Sequence, residues 1–366
     1  MKKVLYIVSL SFGIGILFFS ILGFTNLVFT PIYFEVPKHF PKPVYDFSKN
    51  PLTEEKFQLG RTLFYDPILS RDNTISCSSC HLQASAFTHV DHDLSHGIDG
   101  RIGMRNSLAL QNLAWNKDFM WDGGINHLDV QAITPITHQL EMDETLPNVI
   151  KKLQNSPKYN ELFTKAFGDS KITTERLLKS FSQFLVQLVT ANAKYDKVTK
   201  KEETFTAQEQ NGYTLFQNNC ASCHTEPLFK SDTFETNGLP VDDYLKDGGR
   251  IKITTLTKDS LLFKVPTLRN IQFSFPYMHD GRFKTLNEVV LFYNTNPEAQ
   301  KALFKKNKKR MHLTDNERVD LIAFLKTLSD KEFLFNPRYS FPKELWLKPF
   351  SQNHKKKLFI NYKNTK

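Results

Sequence analysis

Cysteine is scarce. The 366-residue chain has four, and all four fall in two copies of one pattern, Cys77-Ser78-Ser79-Cys80-His81 and Cys220-Ala221-Ser222-Cys223-His224. No thiol is left for a structural disulfide, a lone nucleophile or a separate metal site. Strand-like alternation is rare and no short-period repeat is present, so sandwich, barrel and solenoid architectures are excluded. Glycine, at 15 residues, and a hydrophobic content of 40% are ordinary for a globular chain. The 32 phenylalanines suit packing around large planar groups, but ordinary cores use them too. The net charge is +10, much of it in Lys305, Lys306, Lys308, Lys309, Arg310 and Lys355-Lys356-Lys357. No recognition motif is interleaved with these residues, so nucleic acid is not the expected partner. A solvated face is the plain reading, and an anionic membrane surface or an acidic redox partner the functional one.

C-x-x-C-H is the attachment pattern of c-type haem. Two thiols one helical turn apart can each add to a vinyl group of one porphyrin. The following histidine then ligates the iron from the proximal side. A zinc ribbon would keep its two C-x-x-C pairs about 15–20 residues apart, far closer than Cys80 and Cys220 stand here. A thioredoxin-like dithiol would occur once and would not need the trailing histidine. The chain is therefore expected to carry two covalent haems, held by Cys77, Cys80 and His81 and by Cys220, Cys223 and His224.

Lys2 and Lys3 precede an uncharged apolar run from Val4 to about Phe34. Such a run is long enough to span a bilayer, and the leading positive charge sends the rest of the chain outward. An uncleaved anchor over residues 4–30 is the preferred reading, and a cleaved signal peptide the alternative. Either places the body in the periplasm. The boundaries read as 1–35 anchor or signal segment, 36–52 extended tether, 53–205 first haem domain, 206–330 second haem domain and 331–366 weakly ordered basic tail. Helical spacing starts at Thr53-Glu54-Glu55 and returns at 145–155, 159–167 and 173–193. In the second domain Thr206 and Glu209 form a capping-box pattern. Further helices are expected at 285–293 and 314–328, whereas residues 84–106 and 226–262 read as irregular. The expected fold is mostly α, with two cytochrome c-like domains side by side behind an N-terminal membrane helix.

Residues 52–330 resemble the bacterial di-haem cytochrome c peroxidases and their MauG-type relatives. The resemblance is carried by Leu59-Gly60-Arg61-Thr62-Leu63-Phe64-Tyr65-Asp66-Pro67, Ser76 to His81, Arg105-Asn106, Trp121-Asp122-Gly123-Gly124, Gln131-Ala132 and Glu141-Met142. In the second domain it is carried by Val265-Pro266-Thr267-Leu268-Arg269-Asn270 and by Pro276-Tyr277-Met278-His279-Asp280-Gly281. It implies a peroxide-reacting N-terminal haem and an electron-transferring C-terminal haem. Glu141 matches the distal glutamate that moves a proton between the peroxide oxygens, and Gln131 its hydrogen-bonding neighbour. Trp121 matches a tryptophan that relays electrons between the haems. Asn106 matches a calcium ligand, whose companion carbonyls fall on Ser274 and Pro276. The implied partners are hydrogen peroxide and a small cytochrome or cupredoxin, and many relatives are dimers.

The pattern is broken in two places. Many relatives close the first haem with a histidine after a Ser-x-Gly turn. Here Ser95-His96-Gly97 is followed by Ile98, which cannot ligate iron, so the first haem is expected to be open at rest. His89, His92 and His96 are nearby histidines that could close it instead. The peroxidases also place a methionine on the far side of the second haem, late in the following helix. Tyr293 occupies that position here, as in MauG-type proteins, with Met278 as the competing ligand. Three functions remain: a peroxide reductase, a MauG-type oxidase acting on a partner protein, or a di-haem electron carrier.

Overall fold

The computed structural model describes residues 29–346. The helices of the first domain are α1 (Glu54–Tyr65), α2 (Cys77–Cys80), α3 (Leu128–Gln131), α4 (Ile133–Thr137), α5 (Leu146–Gln154), α6 (Pro157–Phe167) and α7 (Thr174–Leu185). Those of the second are α8 (Lys194–Thr199), α9 (Ala207–Asn219), α10 (Ile251–Thr254), α11 (Leu286–Thr295), α12 (Pro297–Asn307) and α13 (Asp315–Lys326). Two short elements, α14 (Lys331–Leu334) and α15 (Lys343–Trp346), follow. The described sheet is one antiparallel pair, β1 (Phe234–Glu235) and β2 (Phe263–Lys264), with Phe234 opposite Lys264.

Each domain is built on one close helix crossing. The Thr53 hydroxyl caps α1 by accepting from the Lys56 amide, and Glu54 and Glu55 fill its first turn. Helix α1 crosses α7 at Gly60, where a Cβ would lie 1.9 Å from the Ser180 carbonyl oxygen. Helix α9 opens with the expected Thr206–Glu209 capping box. It crosses α13 at Gly212, where a Cβ would lie 1.9 Å from the Asp320 carbonyl oxygen. Both crossings thus depend on a missing side chain that lets two backbones touch. Phe57, Leu63, Phe64, Leu177, Phe181 and Phe184 fill the first core, and Phe216, Phe229, Leu321 and Phe324 the second.

A buried ion pair ties α8 to the rest of the second domain, where the N-terminal segment meets it. Arg269 and Asp196 are fully buried; the two guanidinium Nη atoms donate to the two carboxylate oxygens at 2.9 and 2.7 Å. His39 bonds the same carboxylate at 2.7 Å. The Arg269 guanidinium also lies 4.8 Å from the centre of the Phe40 ring.

The anchor expectation falls mostly outside the described residues, and several others are corrected. Most of the apolar 4–30 segment lies outside the described residues. Among the described residues no helix is long and apolar enough to cross a membrane. Residues 30–34, at the end of the apolar run, pack on the first domain: the Ile32 amide donates to the Leu52 carbonyl, and Phe34 packs against the core. The 36–52 segment is extended but is not a free tether. Phe40 is buried, the Trp115 indole donates to the Pro41 carbonyl at 2.7 Å, and Tyr45 donates to Asp129 at 2.7 Å. Its aromatic residues supply the apolar area that holds it down.

The weakly ordered tail expected from Lys331 is also wrong for its described part. Phe333 and Leu334 are buried in the first core, Arg338 pairs with Glu54, and Tyr65 donates to the Tyr339 carbonyl. The expected 173–193 helix ends at Leu185. Beyond it, the Leu188 and Thr190 carbonyls accept from Asn112, and Asp330 accepts from the Thr190 hydroxyl and the Ala191 and Asn192 amides. These side chains outcompete helix continuation. Helix α12 was not anticipated, although Asn296 at its cap and Pro297 in its first turn are its sequence signature.

Candidate functional site

Two cavities flank one wall. The first, of about 490 Å³, is bordered by Cys80, His81, Trp121, Gln131, His138 and Glu141. The second, of about 250 Å³, is bordered by Cys220, Cys223, His224, Met278 and Tyr293, and again by Trp121. Trp121 therefore faces both. Its indole N–H donates to the Asn106 carbonyl at 2.8 Å, and its ring meets His279 edge-on at 6.4 Å between centroids. His279 stacks in turn on Phe263 at 3.9 Å.

The proximal residues fit haem. Ser76 caps α2 and its amide bonds the Ser79 hydroxyl at 3.1 Å, which fixes the helix carrying Cys77 and Cys80. None of the four cysteines is in a disulfide. His81 Nδ1 is 2.7 Å from the Phe87 carbonyl oxygen, and His224 Nδ1 is 3.1 Å from that of Pro266. A carbonyl on Nδ1 sets the tautomer and leaves the Nε2 lone pair for a metal. Burial pushes both imidazoles down to about 4, which keeps them neutral and able to ligate.

The acids near the first cavity divide sharply. Asp143 is paired with Arg71 and Arg101 at 2.5 and 2.9 Å, and Glu144 with Lys152 at 2.6 Å. Glu141 has no Lys or Arg partner among the described residues; His138 stands 3.8 Å away. Burial pushes its carboxyl above the usual range, and the His138 imidazole opposes this. Its backbone is pinned by the 95–101 turn. Ile98 donates its amide to the Glu141 carbonyl at 2.9 Å, and Gly97 lies so close that a Cβ would be 2.6 Å from the Glu141 Cα. Gln131 borders the same cavity at the end of α3, with its amide nitrogen 3.9 Å from Met120 Sδ.

Ile98 is fully buried and does not border the cavity. Nor do His89, His92 and His96, which pack on one another with ring centroids 5.0 and 4.0 Å apart. In the second cavity Tyr293 and Met278 are both present. Asn237 links them: its amide lies 3.3 Å from Met278 Sδ and also interacts with the Tyr293 hydroxyl. Burial raises the Tyr293 phenol to about 12. Sequence reasoning missed Asn237, which lies in an irregular stretch with no pattern to mark it. It also missed His138, which one helical turn of spacing before Glu141 could have flagged.

Asn106, Ser274 and Pro276 border the second cavity together. Asn106 Nδ2 donates to the Asp93 carbonyl at 3.0 Å, and among the described residues no donor reaches its Oδ1 or the Ser274 and Pro276 carbonyls. Carbonyl oxygens of this kind are the donor type that a hard cation takes.

Two family models match consecutive stretches: di-haem cytochrome c peroxidase over residues 54–204 and cytochrome c over 209–329. A methylamine utilization protein MauG from Methylophilus methylotrophus is 33% identical over 300 residues, covering 81% of this chain and 87% of that one. A cytochrome c551 peroxidase from Nitrosomonas europaea is 31% identical over 284 residues, covering 76% and 81%. The solved structure of a MauG-like protein associated with microbial copper homeostasis superposes with a TM-score of 0.75 at 30% identity, covering 85% of this chain and 99% of that one.

Proposed function

Since this chain belongs to the di-haem cytochrome c peroxidase family, we propose that it reduces hydrogen peroxide to water in the periplasm, with electrons from a small cytochrome or copper protein. The observation that carries this reading is Glu141, an acid without a Lys or Arg partner at a cavity wall, whereas the two acids that follow it, Asp143 and Glu144, are both ion-paired. An electron carrier has no use for such a group. Cys77, Cys80 and His81 would hold the first haem, which would supply the redox chemistry for peroxide reduction. Glu141 accepts the proton from the near peroxide oxygen and returns it to the far one, so that oxygen leaves as water. Gln131 orients the peroxide by hydrogen bonding. One peroxide, two electrons and two protons give two waters. Electrons enter at the second haem site and cross the shared wall at Trp121, whose ring is fixed by its bond to Asn106. A hard cation, if bound, would be held by Asn106 and the Ser274 and Pro276 carbonyls and would steady that wall.

The first site is open at rest, because Ile98 points into the protein and its backbone serves Glu141 instead. Optical and EPR spectra of the resting protein, followed by peroxide with and without prior reduction, test this. One high-spin and one low-spin haem, with immediate reaction of the high-spin one, is the expected result. Two low-spin haems that react only after reduction would assign a closing role to a histidine of the 89–96 loop. No peroxide reaction in either state would sink the peroxidase reading.

Tyr293, which borders the second cavity with His224, would be a further ligand to the iron of the second haem. Deprotonated by the metal, its tyrosinate would be a hard anionic donor that favours ferric iron. Tyr293→Phe should therefore change the spectrum of that haem and raise its potential. A spectrum that changes only in a Met278 variant would overturn the assignment. Tyr293 also favours a second reading, oxidation of a partner protein by a MauG-type enzyme. That reading gains if the peroxide-treated protein keeps its oxidising equivalents in the absence of a donor.

A further inference from the structure

The basic run left unexplained by the peroxide site lies against the second haem site. Helix α12 and the turn after it carry Lys301, Lys305, Lys306, Lys308, Lys309 and Arg310 with no acid between them. Lys301 pairs with Glu298 and Lys306 with Glu235. Lys305, Lys308, Lys309 and Arg310 are exposed and form no ion pair among the described residues. The run is not remote from the chemistry. Lys306 borders the second cavity beside Cys223. Asn307 is hydrogen-bonded to Ser222, inside the haem motif, and donates to the Asn219 carbonyl at 3.0 Å. Ser222 itself is exposed, so the attachment loop reaches the surface there. Phe304 stands among the lysines with 51% of its surface exposed. An apolar residue ringed by like charges, next to a redox centre, has the makeup of an electron-transfer contact. The basic residues Arg71 and Arg101 of the first domain differ, because they are matched by Asp99 and Asp143.

We propose that the strip from Lys305 to Arg310 is the docking surface of the electron donor, and that this donor presents an acidic face. The inference rests on the reading of the second haem site as the electron entry. Uncompensated charge beside the site attracts an oppositely charged partner, raises its encounter rate and orients it, while Phe304 supplies a short-range apolar contact. The donor's transferred electron enters at the Cys220–His224 site, with no bond made or broken.

The test uses the full-length di-haem protein and its K305E/K309E/R310E variant. The probe is a small c-type cytochrome of net negative charge, used unmodified and with its surface carboxylates amidated. Stopped-flow absorbance follows reduction of the second haem without peroxide. With the unmodified probe the variant should react at least about tenfold more slowly than the parent. The parent's rate should fall steeply between about 10 and about 200 mM salt. Amidation of the probe should produce a similar loss with the parent. Equal rates for parent and variant, or a parent preference for the amidated probe, would overturn the proposal. So would a variant that loses only co-sedimentation with phosphatidylglycerol vesicles, since that assigns the strip to a membrane. Because electron uptake is read without peroxide, its outcome stands apart from peroxide turnover. A protein that takes electrons normally but leaves peroxide intact contradicts the peroxidase reading alone.

Discussion

Glu141→Gln should lower peroxide turnover by about 10²–10⁴-fold, the range expected when a positioned acid/base group is lost. Gln keeps the size and hydrogen-bonding capacity of the side chain but cannot take the proton. Its backbone anchors, the Ile98 amide and the close approach of Gly97, are unaffected. Haem spectra and electron uptake by the second haem should therefore match the parent. The pH profile adds a readout that a packing defect would not give. Burial raises the Glu141 carboxyl above the ordinary glutamate value. The proton-accepting form is then lost as pH falls through that raised value, and the acid limb of kcat/KM lies above the usual carboxylate range. That limb should vanish in the Gln variant. A loss below about threefold, or an unchanged acid limb, would move the proton-transfer role to another group, and His138 is the nearest candidate.

Arg269→Met should be the most destabilising single change outside the haem motifs. Removing one partner of a buried, hydrogen-bonded ion pair costs about 3–5 kcal/mol, because the other charge stays buried without its counterion. Here the stranded group is Asp196, left with His39 and the Ala193 amide. A fall in Tm of about 6 °C or more is expected. The pH sign follows from the carboxyl. Burial would raise Asp196, but the Arg269 guanidinium and the neighbouring donors outweigh burial and hold it below the usual range. A depressed carboxylate stabilises the fold above its unfolded pKa, and the contribution is lost as pH falls through the folded value. The difference between parent and variant should therefore be widest near neutral pH and shrink in acid. Adding Asp196→Leu to the variant should recover part of the loss, since no bare charge then remains. A Tm within about 1 °C of the parent would mean that desolvation already cancels the pair.

The chemistry-bearing residues were legible where they are written in short spacings. The two C-x-x-C-H motifs, the Thr206–Glu209 box and the α5, α6 and α13 helices could all be read locally, because a turn or a cap is decided within a few residues. Gln131, Glu141 and Trp121 were legible only through resemblance, since nothing in the local pattern separates Glu141 from Asp143 and Glu144. What separates them is the distant supply of cations, Arg71, Arg101 and Lys152, and that appears only in three dimensions. The end of α7 was illegible for a similar reason: the chain beyond Leu185 is captured by Asn112 and by Asp330. Likewise, residues 331–344 carry too little apolar pattern to announce that Phe333 and Leu334 complete the first core.

That capture by Asp330 has a topological meaning. One carboxylate oxygen receives Thr190, Ala191 and Asn192 just as the chain leaves the first domain, and residue 330 is where it returns. The second haem domain is thus an excursion from the first, with its exit and entry stitched together by Asp330 and by the bond from the Tyr195 amide to the Thr327 carbonyl. A domain joined at one end can swing about its linker, but one joined through two adjacent stems has little room to do so. The loop-closure cost of the whole excursion is met at that stitch. The placement of the two haem sites on one wall is in this sense tied to the chain's routing.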